Sequence, residues 1–141
     1  MLERIEPNNG LINEIKGLRP IKRDSRVTKW GFYYWNFHYM EEEFDNIPRD
    51  KFIEAAGAEG MPLGIGGHGK PIYRNPVFEN LKSIAGHPVD YSKTYCPEAE
   101  RLFEKEAISI GHGTFLGGRD DMDKIIEVFQ KIRNNTNELK Q

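Results

Sequence analysis

Strands interleaved with helices in a single chain of 141 residues predict a small α+β domain. Three observations point there. Residues 30–40 read Trp-Gly-Phe-Tyr-Tyr-Trp-Asn-Phe-His-Tyr-Met, an aromatic density that suits a pleated strand. Met122, Ile125, Ile126, Phe129 and Ile132 recur at helical spacing near the end of the chain. Between these two stretches, the short runs 61–65 and 107–110 read as strands, alternating with segments of helical periodicity.

A chain of this length buries roughly 70% of its unfolded surface, enough for one core without staples. Its hydrophobic fraction of 38% and charged fraction of 30% suit a globular protein, and no apolar run approaches the length of a membrane span. Twenty Lys and Arg against 22 Asp and Glu leave a net charge of −2, so no global basic field draws in nucleic acid. A lone cysteine, Cys96, excludes an internal disulfide framework, and the N-terminus lacks the basic-then-apolar pattern of a secretory signal. The expected compartment is the cytoplasm.

Along the chain, residues 1–10 carry charges, Pro7 and an Asn8-Asn9-Gly10 turn signal and read as an N-terminal arm. Leu11, Ile12, Ile15 and Leu18 have helical spacing, with Asn9 to cap and Gly17 to stop. The basic stretch 17–29 reads as a solvated extended segment. In the aromatic strand, alternation places Tyr33, Trp35, Phe37 and Tyr39 on one face and Phe32, Tyr34, Asn36 and His38 on the other, more polar one. Its lack of interleaved cations argues for core packing over base stacking. Residues 47–60 predict a helix with Pro48 in its first turn, Phe52, Ile53 and Ala56 inward and Gly60 as a left-handed stop. Residues 76–83 predict a short helix with Val77, Phe78 and Leu81 inward, and 86–94 a loop. Pro97 opens a helix with Ala99, Leu102 and Phe103 toward the core. The final helix starts among Asp120, Asp121 and Asp123 and ends at Lys131 and Arg133, as the helix dipole favours. Residues 11–133 thus form the single domain and 134–141 a polar tail.

Chemically useful side chains concentrate in the stretch 64–78. Gly64, Gly66, Gly67 and Gly69 permit close backbone approach, Pro71 and Pro76 stiffen the second half of the stretch, and His68, Lys70, Tyr73, Arg74 and Asn75 supply varied polar groups. The competing reading is a solvated connection. Gly64, four residues, then Gly69-Lys70 nearly matches a phosphate-binding loop, but Pro71 stands where a hydroxyl residue and a helix should begin. The histidines His38, His68, His87 and His112 lie too far apart, and too far from Cys96, to argue for a metal. His68 and His112 each follow a predicted strand between glycines, so they fit either ordinary loop positions or strand ends on one rim. No nucleophile-elbow context surrounds Ser83 or Ser109.

Six motifs occur together in one order: Gly17-Leu18-Arg19-Pro20; the aromatic strand from Phe32 to Tyr39; Ile47-Pro48-Arg49-Asp50-Lys51-Phe52, followed by Ala58-Glu59-Gly60-Met61-Pro62; Pro71-Ile72-Tyr73-Arg74-Asn75-Pro76-Val77-Phe78; Cys96-Pro97-Glu98-Ala99-Glu100-Arg101; and His112 through Asp121-Met122-Asp123. In these the chain resembles the C-terminal small domain of the DegT/StrS family of pyridoxal-phosphate-dependent sugar and keto-cyclitol aminotransferases.

The resemblance implies a small antiparallel or mixed sheet with helices on one face, like the C-terminal domain of fold-type-I pyridoxal-phosphate enzymes. It places the 64–78 loop near the mouth of the active site, so His68, Lys70, Tyr73, Arg74 and Asn75, and more weakly His112, become the candidate contacts to a sugar or cyclitol substrate. The chain departs from the family pattern at Gly66-Gly67-His68-Gly69-Lys70, where relatives tend to carry aromatic and proline residues. In the family, the lysine that holds pyridoxal phosphate, the acid that pairs with its ring nitrogen and the phosphate cup belong to a large domain with no counterpart here. The implied protein is therefore a separate or truncated small domain, inactive alone, with no catalytic, cofactor-binding or metal-binding residue of its own, whose partner is a large pyridoxal-phosphate-binding domain or subunit. A homo-oligomer is also compatible. The alternative is a non-catalytic binding or assembly module that retains the fold.

Overall fold

A computed structural model describes residues 12–29, 31–66, 70–78, 86–87 and 90–140. The expected N-terminal arm, Asn9, Leu11, His68 and Leu81 lie outside these. Four strands, β1 (Leu18–Pro20), β2 (Tyr34–Tyr39), β3 (Gly64–Ile65) and β4 (Ala107–Gly111), form one antiparallel sheet in the order β1-β2-β4-β3. The helices are α1 (Arg49–Ala58), α2 (Pro97–Arg101), which runs into a π turn over Leu102–Glu106, and α3 (Arg119–Asn134). The predicted α+β class is observed, with the sheet wholly antiparallel.

The phase of β2 organises the core. Trp35, Phe37 and Tyr39 are buried, and the register sets them beside Ile110, Ile108 and Leu18 on the same face. Onto this face pack α1 and α3: Phe129 meets Phe37 and Phe52, each with ring centroids 5.6 Å apart, and Tyr39 stacks against Phe52 and Phe44. Each fully buried side chain of this size contributes about 1.5–3 kcal/mol. The Tyr39 hydroxyl donates to the Ile47 carbonyl at 2.7 Å, and burial pushes its pKa well above the ordinary phenol value. All five predicted core residues of α3 are buried. At its start, Asp121 accepts from the Gly118 N–H at 2.9 Å, which lowers its carboxyl pKa.

Several expectations shift. Tyr33, assigned to the buried face, precedes β2 and is exposed, because the strand begins one residue later. Gly17 does stop the first helical turn, with φ of 97°, so Leu18 enters β1 instead of closing a helix. A Cβ at Gly17 would also lie 2.6 Å from the Phe44 ring. Pro48 occupies the cap position of α1 and Gly60 takes a left-handed φ of 82° just beyond its end. Residues 76–78 form a single 3-10 turn that leaves Val77 exposed, not inward. Thr136–Lys140, expected as part of a polar tail, forms another 3-10 turn, whose buried Thr136 donates to the Asp45 carboxylate at 2.6 Å.

The largest difference is in α2. Ala99, Leu102 and Phe103 are half-buried, while Glu100 and Glu106 are the buried positions. The π turn adds about one residue per helical turn and so rotates the later side chains out of the expected phase. Arg49, itself 5% exposed, reaches across from α1 and donates to the Phe103 carbonyl at 2.7 Å, satisfying a backbone acceptor of that turn.

Candidate functional site

After β3 the chain returns at Lys70 and makes two 3-10 turns, Ile72–Arg74 and Pro76–Phe78, separated by Asn75. Proline at 71 and 76 fixes φ at the entrance of each turn. The Asn75 side chain accepts from the Val77 N–H at 3.1 Å and so sets the bend between them. Tyr73 and Arg74 then face α2. The Tyr73 hydroxyl donates to Glu100 through a very short hydrogen bond and accepts from the Cys96 N–H at 3.1 Å. The Arg74 guanidinium pairs with Glu100 at 2.7 Å and Glu104 at 3.4 Å. Partial burial, and then the bond to the Glu100 carboxylate, raise the Tyr73 pKa above its usual value.

Glu100 is thus the buried carboxylate that straps the 70–78 segment to α2. Sequence reasoning missed it, since it expected its neighbour Ala99 to face inward. The segment and residues 90–95 line an open cavity of about 850 Å³. Tyr73, Arg74 and Asn75 line one side and Tyr91, Lys93 and Tyr95 the other, while Phe78 meets Tyr91 edge-on at 5.5 Å. The second wall comes from a stretch read as a plain loop; the clustering of Tyr91, Ser92, Lys93, Thr94 and Tyr95 was its available signal.

Of the other predicted contacts, Lys70 is exposed at the start of the segment, and His68 lies outside the described residues. His112 follows the C-terminal end of β4, stacked on Tyr33 with ring centroids 4.8 Å apart, and it is not a wall of the cavity. The structure therefore brings Tyr73, Arg74 and Asn75 together and leaves His112 apart from them.

The cavity is also lined by an amine and a carboxylate, Lys93 and Asp90. Asp90 is exposed and committed to the Ser92 N–H at 2.9 Å and the Ser92 hydroxyl at 2.5 Å, which lowers its pKa. Lys93 is also exposed. Among the described residues no group of His, Cys, Asp and Glu is placed to bind a metal. No described helix is long and apolar enough to cross a membrane.

An antiparallel sheet with helices on one face is also found in a solved structure. The solved structure of 3-amino-5-hydroxybenzoic acid synthase superposes on 90% of the chain with a TM-score of 0.64 at 23% identity, and the match covers 32% of that protein. In sequence, the chain is similar to proteins named as scyllo-inosose aminotransferases. It is 29% identical over 138 residues to a Micromonospora echinospora protein named L-glutamine:3-amino-2,3-dideoxy-scyllo-inosose aminotransferase, with 93% of this chain covered. It is 25% identical to the same organism's L-glutamine:2-deoxy-scyllo-inosose aminotransferase, with 98% covered. The chain spans about a third of the length of these curated relatives. No family model matches it.

Proposed function

We propose that the chain is the C-terminal-type small domain of a pyridoxal-phosphate-dependent cyclitol aminotransferase, shaping the substrate side of an active site whose cofactor and lysine belong to a large unit. One observation carries this reading: the 70–78 segment is strapped by Glu100 so that Tyr73, Arg74 and Asn75 form one wall of a polar, tyrosine-lined cavity. Such a wall suits a polyhydroxylated ring, with phenol and guanidinium groups for its hydroxyls and ring faces for its C–H edges. The strap holds those groups in one geometry before substrate arrives, which lowers the ordering cost of binding.

The chain's own residues bind and orient; amino transfer requires the chemistry that pyridoxal phosphate supplies on the large unit. Two measurements test this. Pyridoxal phosphate added to the chain alone should give no lysine-dependent change in cofactor absorption; a change abolished by one lysine substitution would overturn the proposed division of labour. Co-expression with a large-domain partner should give L-glutamine-dependent amination of a keto-cyclitol that neither chain performs alone. A partner equally active without this chain would contradict the proposal.

A further inference from the structure

We infer that Lys93 is the specificity-determining residue of the cavity and that the ring it selects carries a carboxylate; this rests on the function proposed above. The two walls differ in what they leave available to a ligand. On the first, the Tyr73 hydroxyl donates to Glu100 and accepts from the Cys96 N–H, so both of its roles are filled. The Arg74 charge is matched by Glu100 and Glu104. The strap that fixes this wall therefore occupies most of its polar groups, leaving ring faces and the remaining guanidinium N–H groups to meet a ligand.

The second wall is fixed by its backbone instead. The Thr94 N–H donates to the Tyr91 carbonyl at 3.0 Å and closes a turn over residues 91–94. At its entrance Asp90 accepts from the Ser92 N–H at 2.9 Å and the Ser92 hydroxyl at 2.5 Å. Those contacts hold the turn without using its outer side chains. Lys93 occupies the third position of the turn, between Tyr91 and Tyr95, and among the described residues none pairs with its amine.

Charge then gives the cavity a direction. Behind Arg74 stand two carboxylates against one guanidinium, so the α2 side repels an anionic group and turns it toward the opposite wall. There Asp90 is committed to Ser92, and Lys93 is the cation without a described partner. A neutral polyol makes no use of this separation. A ring with hydroxyls on one side and a carboxylate on the other does: its hydroxyls meet the Arg74 side, its carboxylate meets Lys93, and the Tyr91 and Tyr95 rings lie beside its C–H edges. Tyr95 is 70% exposed and Lys93 is exposed, so solvent screens this contact and its effect is one of selectivity more than of tight binding.

The test titrates the 141-residue chain with quinate, a carboxylated polyhydroxylated ring, and with myo-inositol, a neutral one, and follows backbone NMR shifts at residues 91–95. Quinate should bind roughly fivefold more tightly, the scale of an exposed charge pair, and the advantage should shrink as salt is raised. Lys93→Gln should abolish the advantage and Lys93→Arg should restore it. Lys105→Gln removes the same charge from the exposed side of the π turn and should leave the advantage intact. Equal affinities, an advantage that survives Lys93→Gln, or binding of neither compound would overturn the inference and leave the proposed function standing. Displacement of quinate from residues 91–95 by L-glutamine at equal concentration would assign Lys93 to the amino donor and also overturn it. A Lys93-dependent advantage beside a reconstituted enzyme devoid of amino transfer would retain the site and count against the function.

Discussion

The sheet with α1 and α3, and the 70–78 segment strapped to α2, are held together by different physics. The first is an apolar sandwich in which Phe37, Phe52 and Phe129 interlock. The second is fastened by Glu100 and Glu104 through Tyr73 and Arg74, beside a cavity. Non-directional burial sets stability in the first, while directional charged contacts set geometry in the second. Arg49 joins them, a buried guanidinium from α1 that caps the π turn.

Substitutions should separate the two regions. Phe129→Ala, at a fully buried ring, should cost about 3–5 kcal/mol in denaturant unfolding. Arg49→Met should cost about 1–3 kcal/mol, because the Phe103 carbonyl loses its donor. It should also speed amide exchange in α2, as expected of a joint between the halves; a loss confined to α1 would remove that role. Glu100→Gln should change the unfolding midpoint much less. Its signature should be faster exchange at residues 72–75 and a downward move of the Tyr73 titration toward the usual phenol value, since the carboxylate helps raise it. No movement would mean that the strap does not hold in solution.

The smallest effect concerns acid. Asp45 and Asp121 have lowered pKa values in the fold, from the Thr136 and Gly118 hydrogen bonds respectively. A depressed folded pKa adds stability above the unfolded value of about 3.9, and that stability disappears as pH falls through the folded pKa. Asp121→Asn should therefore flatten the loss of stability below about pH 4 and leave the Glu100 strap unaltered. An unchanged acid slope would show that this cap contributes nothing measurable.

The apolar half was legible in the sequence because its signals are periodic. The stripe from Met122 to Ile132 and the alternation of Trp35, Phe37 and Tyr39 each state which side faces inward. The polar half was legible in position but not in pairing. Tyr73, Arg74 and Asn75 stand out as a run of polar groups, and the resemblance made them candidates, yet the bond from Tyr73 to Glu100 crosses 27 positions and leaves no local pattern. The π turn then rotated the side chains after Arg101 out of the expected phase, since helical periodicity assumes about 3.6 residues per turn. His112 follows a strand, as its position between glycines suggested, and lies apart from the cavity.

The role of the 70–78 segment as a substrate wall is tested most directly by kcat/KM for keto-cyclitol amination. The chain is reconstituted with a large pyridoxal-phosphate-binding unit, and unaltered protein is compared with Tyr73→Phe and Arg74→Ala. Each variant should fall by roughly tenfold or more, with an unfolding midpoint close to that of the unaltered chain. Unchanged kinetics in both variants would contradict the role and return the segment to a connection between β3 and α2.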